Sequence, residues 1–135
     1  MNVTQISIFL ENAEGRLHKI SSLLGQNNVN IRAISIADRE HTGVLRIVVD
    51  KPTDAMNVLK QNGFLAQSTN IIAIEVEDRP GGLAHILNIL HDNTLNVEYM
   101  YGFIEKFCGK ALIAICFNNP ANAAKVLKEN NIGPN

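Results

Sequence analysis

The chain has 135 residues, 46% of them hydrophobic and 19% charged, with a formal net charge of −1 and a pI near 6.4. That is the balance of a compact soluble domain. It excludes the clustered Lys and Arg that nucleic acid or an anionic membrane requires. No stretch is long and apolar enough to span a bilayer, and Met1-Asn2-Val3-Thr4-Gln5 lacks the layout of a signal peptide. Two cysteines, Cys108 and Cys116, are too few for a disulfide framework. A cytoplasmic protein is expected.

In chain order, Ile6, Ile8 and Leu10 alternate with other residues and line one face of a strand. A turn, Glu11-Asn12-Ala13-Glu14-Gly15-Arg16-Leu17, leads into a helix with Leu17, Ile20, Leu23 and Leu24 on one stripe. Asn27-Asn28 ends it. A second strand opens at Asn30-Ile31, and a hairpin containing Gly43 returns the chain to a third strand with Leu45, Ile47 and Val49. Pro52 opens a second helix, where Asp54 suits the helix dipole and Ala55, Val58 and Leu59 form the buried stripe. Phe64-Leu65-Ala66-Gln67-Ser68 reads as a fourth strand.

The pattern then repeats. Ile72, Ile74 and Val76 form a strand, and Glu77-Asp78-Arg79-Pro80-Gly81-Gly82-Leu83 is the turn. Leu83, Ile86, Ile89 and Leu90 stripe a helix that ends at Asn93-Thr94. Asn96-Val97 opens the next strand, a hairpin holds Gly109, and Ile113, Ile115 and Phe117 form the third strand. Asn119 caps a last helix from Pro120, with Ala123, Val126 and Leu127 inward.

Residues 11–31 match 77–97 with seven identities in 21 positions, and 47–62 match 115–130 with seven in 16. Roughly one per window is expected from ordinary composition. A repeat of this kind sets the architecture. The offset grows from 66 to 68, placing two extra residues in the second hairpin. The fold expected is α+β: two ferredoxin-like βαββαβ units, 1–68 and 69–135, with antiparallel sheets and helices on one face. The second unit ends too soon for its last strand. Either another segment completes its sheet or the natural chain runs further. Tyr99, Tyr101 and Phe103, with Ala114 and Cys116, fall on the face away from the helices. That apolar face is expected to meet the other unit or another subunit.

The two turns are the candidate sites. Pro80 suits a first helical turn, and the first N–H groups of a helix lack partners within it and attract small anions. Gly81 and Gly82 allow close approach from above the turn, or simply make it tight. His18, His41, His85 and His91 show no metal spacing, and the cysteines no redox pair. Glu77 and Asp78 are adjacent and point apart in an extended chain, which is poor geometry for acid/base chemistry. No catalysis, metal or cofactor is expected.

The βαββαβ order, the Asp78-Arg79-Pro80-Gly81-Gly82-Leu83 turn, and the strand entries Asn30-Ile31 and Asn96-Val97 together resemble the ACT domain family, as a tandem pair. The resemblance implies a regulatory module that binds a small amino acid where two units meet. Backbone N–H groups near Gly15 and Gly81 would hold the ligand carboxylate, within loops Asn12-Ala13-Glu14-Gly15-Arg16-Leu17 and 78–83. Asn12 and Asp78 hold the polar loop position, and Asn30-Ile31 and Asn96-Val97 the facing element. The apolar sheet face points to a homodimer, and a regulatory module of this kind implies a partner such as a regulated metabolic enzyme. The first loop departs from the pattern, with Glu14 for the proline and Arg16 for the second glycine. Glu14 would then compete with an anionic ligand, which makes the second loop the stronger candidate. The alternative is a structural or protein-interaction module with no small ligand.

Overall fold

A computed structural model describes residues 1–11, 13–39, 42–104 and 110–132. The elements run β1 (Asn2–Glu11), α1 (Arg16–Gln26), β2 (Ile31–Arg39), β3 (Thr42–Val49), α2 (Pro52–Gln61), β4 (Leu65–Glu77), α3 (Gly82–Asp92), β5 (Val97–Gly102), β6 (Lys110–Phe117) and α4 (Pro120–Glu129). The fold is α+β and ferredoxin-like, as the alternating and 3.6-residue periods dictate.

The chain packs as two compact units, Thr4–Asn70, and Ile71–Asn135 joined by Met1–Val3. In the first unit the strand order is β2-β3-β1-β4, with β1/β3 and β2/β3 antiparallel. Its core gathers Ile6, Ile8 and Leu10 from β1, Ile20 and Leu24 from α1, Leu45 and Ile47 from β3, and Ala55 and Leu59 from α2. Full burial of each such large side chain is worth about 1.5–3 kcal/mol. In the second unit β4/β6 and β5/β6 are antiparallel. Its core is the repeat of the first: Ile72, Ile74, Val76, Ile86, Leu90, Ile115, Phe117, Ala123 and Leu127.

Two strands expected separately are one. β4 runs unbroken from Leu65 to Glu77, because nothing between them, neither Gly nor Pro, interrupts an extended chain. Phe64 stays outside the strand and packs on the first core. Beside β4 in the second unit lies the chain's first segment. Ala73 N–H donates to the Met1 carbonyl at 2.8 Å, and the Met1 amino group donates to the Ala73 carbonyl at 3.2 Å. Gly43, expected in a hairpin, sits inside β3 and pairs with Leu10. The positions of Asn12, His41, Cys108 and Gly109, and of the terminal Gly133-Pro134-Asn135, lie outside the described residues. Tyr99, Tyr101, Phe103 and Cys116 are half-buried and Ala114 is fully buried.

The helices share one ending. Asn27, Asn62, Asn93 and Asn130 each donate a side-chain N–H at 2.8 Å to the carbonyl four residues back. A left-handed residue follows each of them: Asn28, Gly63, Thr94 and Asn131. The next residue, apolar in every case, returns its N–H to the helix: Val29 to Leu24, Phe64 to Leu59, Leu95 to Leu90 and Ile132 to Leu127. This satisfies carbonyls that a helix C-terminus leaves open.

Candidate functional site: the two strand-to-helix turns

The two turns have the same backbone. Gly15 and Gly81 are the N-caps of α1 and α3, at φ 82° and 84°. That left-handed conformation is why glycine recurs there. In the first turn Ala13 N–H donates to the Glu11 carbonyl at 2.8 Å and Arg16 N–H to the Ala13 carbonyl at 3.3 Å. In the second, Arg79 N–H donates to Glu77 at 2.9 Å and Gly82 N–H to Arg79 at 3.0 Å. So the amides at these two positions are spent inside each turn. Neither helix has a side-chain cap or an acidic residue in its first turn. The N–H groups of Gly15, Leu17 and His18, and of Gly81, Leu83 and Ala84, therefore have no carbonyl inside their own helix. The N-cap of α1 is Gly15, and Glu14 precedes it as an exposed residue. Ala13, Glu14, Gly15, Arg16 and Leu17 are exposed, as are Asp78, Arg79, Pro80, Gly81 and Leu83. The turns are open, not sealed under side chains.

Gly82 is the buried exception. A Cβ built there would lie 2.0 Å from the Glu77 carbonyl oxygen, far inside any tolerable approach. Its missing side chain makes room for the turn's own backbone, the second of the two roles the sequence left open for it. Arg16 holds the matching place in the first turn, and there the closing hydrogen bond is longer, 3.3 Å against 3.0 Å.

Asn30-Ile31 and Asn96-Val97 do not join the turn of their own unit. Glu11 aligns with Thr42 at one end of the sheet and Ile31 with Val49 at the other. Seven residues of strand separate these ends, roughly 23 Å. Asn30 is exposed, and its backbone is held by Asp50: Asn30 N–H donates to Asp50 Oδ1 at 2.9 Å, and Asp50 N–H to the Asn30 carbonyl at 3.1 Å. Asn96 is likewise exposed, and its carbonyl accepts from Asn118 N–H at 3.3 Å.

Charge differs between the turns. Arg79 Nε donates to Glu77 Oε2 across the second turn. That hydrogen bond, then the Arg79 charge, holds the Glu77 carboxyl below its usual range, with smaller help from Lys110 and His85. Lys110 also bonds Glu75 at 3.3 Å. These groups line a cleft of about 340 Å³ between α3 and the end of α4. The first turn borders a smaller cavity of about 40 Å³, lined by Leu10, Glu11, Ala13, Arg16, Leu17, Ile36 and Gly43. The sequence did not point to Ile36 and Gly43, because three strands bring them together.

Among the described residues no group of three His, Cys, Asp or Glu is placed to hold a metal, and no helix is long and apolar enough to cross a membrane. The family model for the ACT domain pair matches residues 1–134. The chain belongs to the ACT domain family, as a domain pair. The pair is similar to protein BT0572 from Bacteroides thetaiotaomicron, at 35% identity and TM-score 0.90 over 98% of this chain and 91% of that one. It shares its fold with the regulatory subunits of aspartate kinase from Thermus thermophilus and Thermus flavus. The first is 13% identical with TM-score 0.65, covering 95% of the pair and 91% of that chain. The second is 15% identical with TM-score 0.64, covering 93% and 88%. Among curated proteins, none matches the sequence significantly.

Proposed function

We propose that this ACT pair is a non-catalytic regulatory protein that binds a small amino acid at its strand-to-helix turns. The observation that carries the reading is an exposed helix N-terminus, uncapped by any side chain, built twice on one backbone. A carboxylate placed there meets unpartnered N–H groups and the positive end of the helix dipole, worth about 0.3–1 kcal/mol at an exposed end. Asp78 in the second turn and Glu11 beside the first supply negative charge for the ligand's ammonium. Asn12, Asn30 and Asn96 remain part of the proposal as side chains brought in where two units, or two chains of a homodimer, meet. Ligand acts by favouring one arrangement over another and so altering a partner, such as a metabolic enzyme in the cytoplasm. The Thermus neighbours are named as regulatory subunits, which supports the class of role and not the ligand.

One observation favours the second reading, an interaction module without ligand. Both glycines of the second turn have structural duties, Gly81 for its φ and Gly82 for the approach of Glu77. A thermal-shift screen with the common amino acids separates the two. Ligand at 100 times its dissociation constant adds about 2.7 kcal/mol. Ala84→Asp, which puts a carboxylate in the first turn of α3, should raise the unliganded melting temperature and remove the response of that turn. A well-folded protein that answers to no amino acid would be the interaction module.

A further inference from the structure

Resting on the amino-acid reading, we infer that the first turn selects a small aliphatic side chain, of two or three carbons, through a pocket left open by Gly43. Leu10 and Gly43 are directly opposed on β1 and β3, and Ile36 on β2 opposes Leu45, two residues along from Gly43. Leu10 and Leu45 are both in the core. Residues two apart share a face, so a side chain at position 43 would point toward the helices. There is none, and the result is the cavity of about 40 Å³ beside the start of α1. A cavity that holds a benzene ring measures about 150 Å³, so a space of about 40 Å³ suits a short aliphatic group and no ring.

Nothing in the fold demands glycine at this place. Its φ is not positive, and an added Cβ would meet only the Ala37 carbonyl oxygen at 3.7 Å, an ordinary approach. The strand register agrees: in the second unit Ala111 lies opposite Val76 as Gly43 lies opposite Leu10, so the matching place accepts a Cβ. Ile36 is 53% exposed and Leu17 42%, so two large apolar side chains stand at the rim with water on one side. In the second unit Gly102 opposes Ile113 as Ile36 opposes Leu45, so the place of Ile36 there carries no side chain. Arg16 and Glu11 flank the mouth with one charge of each sign, complementary to a zwitterion whose carboxylate faces the α1 N-terminus.

The test is calorimetric titration of the whole chain with glycine, alanine, 2-aminobutyrate, valine, leucine, phenylalanine and glutamate. Affinity should peak at 2-aminobutyrate or valine, at least about tenfold above glycine and above phenylalanine. Gly43→Ala fills the pocket by one methyl and should move the optimum one carbon shorter. Ile36→Val, at a half-open rim that tolerates trimming, should move it one carbon longer. An aromatic or charged best ligand, or an order unchanged by both variants, overturns this inference and leaves amino-acid binding standing. No heat with any of the seven, in protein shown to be folded, overturns this inference; amino-acid binding itself falls only if the thermal-shift screen of all the common amino acids is also silent.

Discussion

In the first unit the residue that opens the helix after the turn is Arg16; in the second it is Gly82, and the backbone around them is hydrogen-bonded alike. Yet a Cβ at Gly82 would strike the Glu77 carbonyl, while Arg16 carries a Cβ and its closing bond is 0.3 Å longer, 3.3 Å against 3.0 Å. One turn is closed tightly enough to require glycine, and the other is relaxed enough to carry a charged side chain. The tight turn has an internal ion pair, Arg79–Glu77. The looser one has a small apolar pocket at its side. The repeat has kept the cradle and varied what surrounds it, so the two turns share a backbone and differ in chemistry.

The largest effects should come from breaking one unit and watching the other. Leu24 and Leu90 are repeat partners, each buried in its own core. Leu24→Ala and Leu90→Ala should each cost about 2–5 kcal/mol. Native-state hydrogen exchange should then show protection falling first in the unit that carries the change, if each core holds its own unit. Equal loss in both would mean that the cores are not independent.

Next in size is the turn itself. Gly82→Ala should cost about 1–3 kcal/mol, because backbone must move to admit the methyl. Arg16→Ala should change urea stability little, since the first turn already houses a Cβ and Arg16 is exposed. Similar costs for the two would dissolve the contrast between a tight turn and a loose one.

Most of the framework was legible in the sequence. Alternation placed β1 and the stripes placed α1, α3 and both cores, because those patterns are local. The left-handed Gly15 and Gly81 were legible as turn glycines for the same reason. Gly82 was left open between close approach from above and a tight turn; what bears on the choice is a carbonyl five residues away, visible only once the turn has closed. The continuity of β4 was missed because Gln67-Ser68-Thr69-Asn70 looks like a connection, although no residue in it forbids extension. The pocket by the first turn was out of reach, since Leu10, Ile36 and Gly43 meet only through strand register. The repeat gave no hint, because the sequence pairs Gly43 with Gly109, and only the register sets Gly43 against Ala111.

A smaller change tests the helix endings, where the repeat is fourfold. Thr94 is a β-branched residue at φ 57°, a conformation that costs L-residues roughly 1–2 kcal/mol. Thr94→Gly removes that strain but loosens the unfolded chain, so a net gain of about 0.5–1 kcal/mol is expected. At Asn28, where φ is 61°, the residue already tolerates the left-handed region, and Asn28→Gly should lie near zero. Chemical denaturation of the two variants side by side would read the difference, and equal effects would place the strain elsewhere.

The smallest effect belongs to the charges that distinguish the second turn. Glu77 is held in its ionised form by Arg79, so its folded pKa lies below the value it has in the unfolded chain. In that case the folded state binds fewer protons across the window between the two values, and stability rises with pH there. The contribution is complete above the usual carboxylate range and is lost as pH falls through the lowered folded pKa. Both partners are well exposed, 61% for Arg79 and 59% for Glu77, so water and salt screen the pair and little stability is at stake. The sharper readout is the carboxyl itself. NMR titration should find Glu77 below the usual carboxylate range, and Arg79→Ala should bring it most of the way back. If Glu77 titrates in the usual range before the substitution, the ion pair is not formed in solution. The second turn would then differ from the first by Gly82 and its backbone alone.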